Sequence, residues 1–316
     1  MFVRSSLDPE TLTVELRASG TPEQRFRFRK APAQRQALMT HLDALPLSEK
    51  QRERFTECGR NAWVQFSPAH QRYRVRSDSC KLRWCPACQA SRGHHVRQHL
   101  RQFIAANPNQ RLRLVTLTML HSAAPLRTQL DNLRKAFRRL RQRVFRKERV
   151  VGGIGVIEIK RTEAGEWHPH LHIVAAGQYL SSGHLSKQWL SITKTSSIVD
   201  VRALKNPDSA IDYLCKYVTK PPPIDNLLEL DVATDWIKGL KRSRLLIPFG
   251  NVPEYEPEQD SDDYPTDWEP VSSLTQLLER REAGEPQARA ILHKLENLPD
   301  EPLFTEFPTP ESSGVP

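Results

Sequence analysis

The sequence predicts an α+β fold built on an antiparallel sheet, and three observations carry that expectation. The run "RLRLVTLTML" from Arg111 is rich in β-branched and apolar residues on both faces, as a central strand requires. Leu126, Leu130, Leu133, Phe137, Leu140 and Val144 then recur at alternating spacings of four and three, which marks a long amphipathic helix. Two further strand-like runs, "GGIGVIEIK" and "HPHLHIVA", flank a short polar stretch and read as an antiparallel hairpin. A chain of 316 residues is long enough for one principal domain with additions.

Taken in order, residues 1–57 suggest short strands ("LTVELRA", "RFRFRK") followed by helices over "PAQRQALMTHLDAL" and from Ser48, where Gln51 completes a capping-box pattern. Residues 58–110 hold four of the five cysteines: Cys58, then Cys80, Cys85 and Cys88 in "CKLRWCPAC". This is metal spacing rather than a disulfide framework, and four thiolates form the closed tetrahedral cage of structural Zn2+. Buried free cysteines are the plainer alternative, but they leave the Cys-Pro-x-Cys turn unexplained. Arg83, Arg92, Arg97 and His94 or His95 lie near enough in sequence for such a knuckle to present them to nucleic acid; ordinary solvated charge fits each equally well.

Charge is unevenly placed. Residues 1–250 carry 43 Lys and Arg against 21 Asp and Glu, whereas the segment from Asn251 onward carries 4 against 16. The basic body points to a polyanionic partner. Residues 251–316, acidic and proline-rich, read as a mostly disordered tail with one helix near 272–297. No run of about 18 apolar residues appears, and "MFVRSSLDPE" lacks the apolar core of a signal peptide. The expectation is a soluble protein of a reducing cytoplasm, with no membrane partner.

The chemistry is expected within residues 111–250. Side chains alternate along a strand, so His170 and His172 share one face while Leu171 and Ile173 take the other. A hairpin centred near Ala164 pairs position 158 with position 170, setting Glu158 across from His170. Two histidines and a carboxylate make an open site for a divalent cation; His168 is a further candidate of the same parity, with Pro169 interrupting its strand. Downstream, "NPDSAIDYLCKYVTKPPP" reads as a helix with Asn206 as N-cap and Pro207 in its first turn. Ile211, Leu214, Cys215 and Val218 form its apolar stripe, and Tyr213, Lys216, Tyr217 and Lys220 a second stripe of the same spacing. A surface helix whose rings cover its own turns is the bland reading of that second stripe. Beside a cation site in a basic chain, the tyrosines read instead as nucleophiles and the lysines as charge neutralisers, the parts of a nickase that stores the cleaved phosphodiester as a tyrosine ester.

"HPHLH" and "YLCKYVTK" some 40 residues later resemble the metal and tyrosine motifs of HUH endonucleases, in particular the two-tyrosine rolling-circle replication initiator (Rep) proteins. "LVTLTM" resembles the family's first strand motif, and the cysteine cluster resembles one found in many plasmid initiators. The resemblance spans roughly residues 58–250. It implies a ferredoxin-like antiparallel sheet and cleavage of single-stranded DNA to a 5′-phosphotyrosine and a free 3′-hydroxyl. It implies His170 and His172 as ligands of Mg2+ or Mn2+, with Glu158 as third ligand, Lys216 as motif lysine, and Tyr217 and Tyr213 as first and second nucleophiles. Partners would be single-stranded or hairpin origin DNA, a host helicase, since no helicase motif is present, and a DNA polymerase, in association with a bacterial plasmid or nucleoid. Arg134, Lys135, Arg138, Arg139 and Arg141 on the long helix, together with Lys220, are candidates to track DNA phosphates. A two-tyrosine transposase or mobilisation relaxase shares the chemistry. A non-enzymatic zinc-finger regulator and a zinc hydrolase are the rivals from other classes.

Overall fold

The computed structural model describes residues 20–68, 71–204, 211–215, 217, 225–253 and 268–297, with the side chains of residues 94, 95 and 225 left aside. The described residues are α+β, with every strand pair antiparallel. They form two compact units.

The first unit draws its described residues from 20–91, 225–230 and 268–297. Its three-stranded sheet has the order β2-β1-β8, from β1 (Trp63–Ser67), β2 (Arg72–Arg76) and β8 (Glu269–Ser273). The run "RFRFRK" was expected to be a strand, yet Pro22–Arg27 is a helix. Thr21 and Gln24 cap it reciprocally, with Gln24 N donating to Thr21 Oγ1 at 3.3 Å and Thr21 N to Gln24 Oε1 at 3.2 Å. A proline at the first helical position adds to that cap and outweighs the alternating pattern. The other expected strand, "LTVELRA", lies outside the described residues.

The acidic segment also differs from expectation. Where one helix was expected near 272–297, residues 269–296 form β8 and two helices, Leu274–Glu282 and Pro286–Glu296. Leu274, Leu277, Leu278, Ala288, Ile291, Leu292 and Leu295 are buried in one cluster with Phe26, Val64 and Val75. Glu269, Glu279, Glu282 and Glu296 are exposed, and the apolar stripe decides the structure. The expected boundaries at 57/58, 110/111 and 250/251 therefore give way to units assembled from separate stretches of chain, because β8 completes a sheet begun by β1 and β2.

The second unit, with described residues from 92–217 and 231–253, holds a five-stranded sheet of order β6-β3-β5-β4-β7. These are β3 (Arg111–Thr118), β4 (Val150–Arg161), β5 (Trp167–Gly177), β6 (Val199–Ala203) and β7 (Leu246–Gly250). Even-numbered Leu112, Leu114, Ile154, Val156, Val174 and Ala176 pack with Val96, Leu100 and Phe103 and with Ile211, Leu214 and Cys215 of the tyrosine segment. Odd-numbered Val115, Leu117, Leu171 and Ile173 are buried through the other face. The long helix spans Leu126–Leu140 and passes into a π turn, Arg141–Phe145, which keeps Val144 buried. Its Phe137 meets Phe249 of β7 edge-on, with ring centroids 5.4 Å apart. Gly153 lies under that ring: a Cβ there would come within 2.7 Å of Phe249 and 2.6 Å of the Val174 carbonyl.

Candidate functional site

β4 and β5 pair in the register that symmetry about Ala164 requires, with Glu158 opposite His170. β3 pairs with β5 on the other side, setting Thr118 opposite His170 and Thr116 opposite His172. All five positions are even-numbered. They share the face that receives the tyrosine segment, because alternation along three adjacent strands keeps parity.

Glu158 and His172 are both buried, at 6% and 5% exposure. The Glu158 carboxylate reaches diagonally, accepting from His172 Nε2 at 3.1 Å, and not from His170 directly across. Lys160 Nζ stands 3.5 Å from the same Oε2. Burial works against the Glu158 carboxylate, but the His172 hydrogen bond and the Lys160 charge outweigh it and hold the group below its usual range. Burial, reinforced by His168 and Lys160, pushes the His170 imidazolium down to about 4, so the ring is neutral at physiological pH.

Both imidazoles are held by threonines. Thr116 Oγ1 lies 3.2 Å from His172 Nδ1, and Thr118 Oγ1 lies 3.1 Å from His170 Nδ1. That leaves Nε2 of each ring facing away from the threonines, with His172 Nε2 engaged by Glu158. His170 Nε2 is buried without a hydrogen-bond partner, an uncommon condition that a cation would relieve. His170, His172 and Glu158 are donor types that a divalent metal takes, although only Glu158 and His172 are in direct contact and the three are not gathered into one cluster of ligand atoms. His168 is directed elsewhere, its Nε2 bonding the Met119 carbonyl at 2.9 Å.

The tyrosines close the site. The Tyr217 ring stacks on His172 at 3.9 Å and 4°, and Tyr213 meets His172 edge-on at 5.8 Å. The two tyrosine rings are 5.0 Å apart. Arg97, on the helix Pro86–Ala105, is ion-paired with Asp212 and tethers the segment beside Tyr213. Burial and the Tyr213 hydroxyl raise the Tyr217 phenol above its usual range. Cys215 is buried in the core between this segment and the sheet. Lys216, Val218 and Lys220 lie outside the described residues, as do Asn206 and Pro207 and the side chains of His94 and His95.

The phosphate-binding candidates divide. Arg134 is committed to Asp131, at 2.9 Å, and to the Arg244 carbonyl, while the Arg141 guanidinium lies over Phe137 and Phe249. Lys135, Arg138 and Arg139 are exposed.

In the first unit, the sulfurs of Cys58, Cys80, Cys85 and Cys88 are all buried and lie within 4.8 Å of one another. Cys58 and Cys80 approach Cys88 at 3.7 and 3.5 Å, close to the edge of about 3.8 Å that zinc–sulfur bonds impose on a tetrahedron. Gly59, at φ +96°, turns the chain where a Cβ would strike Arg27 at 2.8 Å. Arg27 donates to Cys88 Sγ at 3.5 Å. Hydrogen bonds from Cys80 and Cys85 hold the Cys58 thiol down to about 7. The group fits a metal such as zinc, and among the described residues it is the only gathering of three or more such ligand atoms.

Thr116, Thr118 and Lys160 had not been singled out from the sequence. Their signal is parity: each shares a strand face with a named ligand, but which strands pair had to be known first. No helix among the described residues is long and apolar enough to cross a membrane. No curated protein and no solved structure matches the chain. One family profile, described as replication protein (Rep_1), matches residues 72–294, more than half of the sequence.

Proposed function

Because the chain belongs to the Rep_1 replication-protein family, whose members initiate rolling-circle replication, we propose that it nicks and rejoins single-stranded origin DNA through a covalent 5′-phosphotyrosine. The observation that carries this reading is the direct packing of Tyr217 and Tyr213 on His172, itself bonded to Glu158. Nucleophile candidates thus pack against the sheet face that carries the candidate cation ligands.

Held by His170, His172 and Glu158, Mg2+ or Mn2+ would supply positive charge that polarises the scissile phosphate. The Tyr217 oxygen attacks phosphorus and gives its proton to water, the bond to the 3′ oxygen breaks, and that oxygen takes up a proton to leave as a hydroxyl. Lys160 offsets charge that develops on the phosphate oxygens. Thr116 serves His172 in either tautomer, since a hydroxyl both donates and accepts: it donates to Nδ1 while Nε2–H is given to Glu158, and accepts from Nδ1–H when Nε2 carries a lone pair. Tyr213 performs the second transfer, in which it cleaves the regenerated junction and the first phosphotyrosine is resealed without ATP. Lys216 remains the proposed motif lysine and Lys220 a proposed DNA contact. A helicase and a polymerase of the host act before and after the nick on a plasmid or phage-like replicon.

The test is incubation of the full chain with single-stranded origin DNA and manganese, followed by denaturing electrophoresis. The expected result is a protein–DNA adduct that Tyr217→Phe with Tyr213→Phe abolishes and His170→Ala with His172→Ala suppresses. Cleavage with no adduct would transfer the reading to a metal hydrolase, and an adduct that survives both tyrosine changes would remove the tyrosines from the mechanism.

A further inference from the structure

Beyond the end of β3 the second unit has a cleft of about 430 Å³, lined by the loop from Met119 to Ser122, the outer face of the helix Leu126–Leu140, and Ile192, Thr193 and Thr195. Its size falls in the range of small-ligand sites. Three features set its chemistry. Lys135 and Arg139, one helical turn apart, both line it, and none of its lining residues is acidic. Leu120 lines it while 53% exposed, an apolar surface left to solvent beside two cations. Gln129 also lines it and is only 5% exposed; its Nε2 donates to the Ser122 and Ala124 carbonyls at 2.8 and 2.9 Å, while its Oε1 is buried with no partner.

Cations, an apolar wall and an unmatched amide acceptor together describe a receptor for something anionic at one end, flat and apolar in the middle, and edged with N–H groups. A nucleotide has those parts. The cleft also adjoins the candidate nicking site. Met119, on its rim, accepts the hydrogen bond from His168, whose ring is 4.3 Å from that of His170.

We infer that this cleft holds one nucleotide of the single-stranded DNA substrate, a short step along the strand from the nicked phosphate. The base lies against Leu120 and Ile192, its edge meets Gln129 and Asn132, and a phosphate lies between Lys135 and Arg139. The inference rests on the DNA-nicking reading and deepens it by assigning a place where the protein grips the strand apart from the reaction. It also separates Lys135 and Arg139 from Arg138, which is exposed on the same helix but does not line the cleft.

The experiment is fluorescence anisotropy of a labelled, mixed-sequence single-stranded 20-mer titrated with the full chain over a range of salt, without added magnesium or manganese. Each phosphate contact contributes about 0.7 to the slope of log affinity against log salt on single strands. Lys135→Gln with Arg139→Gln, which removes the grip on that one phosphate, is therefore expected to lower the slope by about 0.7. Leu120→Ala is expected to weaken binding about 5- to 10-fold with the slope unchanged, since it removes apolar contact and no charge. Arg138→Gln, on the same helix but outside the cleft, is expected to change the slope by less than either cleft cation. Equal slope changes for Arg138→Gln and each cleft cation, with Leu120→Ala binding normally, would show a diffuse basic face and overturn the cleft. If wild-type protein forms the manganese-dependent adduct while the cleft variants bind DNA normally, the cleft fails and the nicking reading stands. If the cleft variants behave as expected and no adduct forms on origin DNA, the nicking reading fails and the cleft remains a DNA-binding site.

Discussion

Replacing Thr116 with valine tests whether the histidine pair is a prepared metal site. The change keeps the side chain's shape and removes the hydroxyl 3.2 Å from His172 Nδ1. His172 is 5% exposed, so water does not readily replace the lost partner. A buried donor or acceptor left unmatched costs about 1–3 kcal/mol. Loss of an outer-shell partner of a ligating histidine lowers metal affinity about 10- to 100-fold, which corresponds to roughly 1.4–2.7 kcal/mol. The two routes agree, so Thr116→Val should weaken Mn2+ binding by about 10- to 100-fold. Thr118→Val should do the same through His170, where the contact is 3.1 Å. Calorimetric titration of Mn2+ into the full chain measures this directly, with His170→Ala/His172→Ala as the reference that abolishes the signal. Thr116→Ser retains the hydroxyl and should bind within a few-fold of wild type, which a merely structural role for the threonine does not require. The reasoning is refuted if Thr116→Val binds Mn2+ as tightly as wild type while the histidine double variant binds none.

Further outcomes follow from the same geometry. One zinc per chain should be found by elemental analysis, and Cys85→Ser should lose it, whereas Cys215→Ser, outside the cluster, should keep it. Gly153→Ala should destabilise the chain by about 1–3 kcal/mol, read as a lower denaturation midpoint, because its Cβ meets Phe249 and the Val174 carbonyl inside contact distance. Leu292→Ala, deep in the first unit's core, should cost about 2–5 kcal/mol; no loss would mean that the C-terminal helices are dispensable to that unit.

The parts of the fold legible in the sequence are those fixed by local rules. Hairpin pairing follows from where the turn lies, so the register of Glu158 against His170 could be read before any coordinates. The four-cysteine cluster follows from a turn motif, and the long helix from leucine spacing that continues to Leu140. Reading failed where two local signals competed. In "RFRFRK" strict alternation promised a strand, yet the cap from Thr21 and Gln24 sets a helix. In the C-terminal segment the helix near 272–297 was legible, but net acidity hid that its apolar stripe packs against β1 and β2.

The site shows the same limit in sharper form. His170, His172 and the tyrosines announce themselves by residue type, but a ligand set is also defined by what holds it. Thr116 and Thr118 sit in an apolar strand about 50 residues upstream, and nothing local distinguishes them from ordinary strand threonines. They acquire a role only because β3 lies beside β5 in a register that puts each hydroxyl against an Nδ1. Glu158 likewise lies opposite one histidine yet bonds the other, since the Nε2 atom its carboxylate reaches belongs to the diagonal neighbour. His170 Nε2 is thereby left as a buried lone acceptor or donor with no protein partner. Leaving such a group unmatched costs free energy in the protein alone. In the proposed reading, a cation shared with His172 and Glu158 would recover that cost.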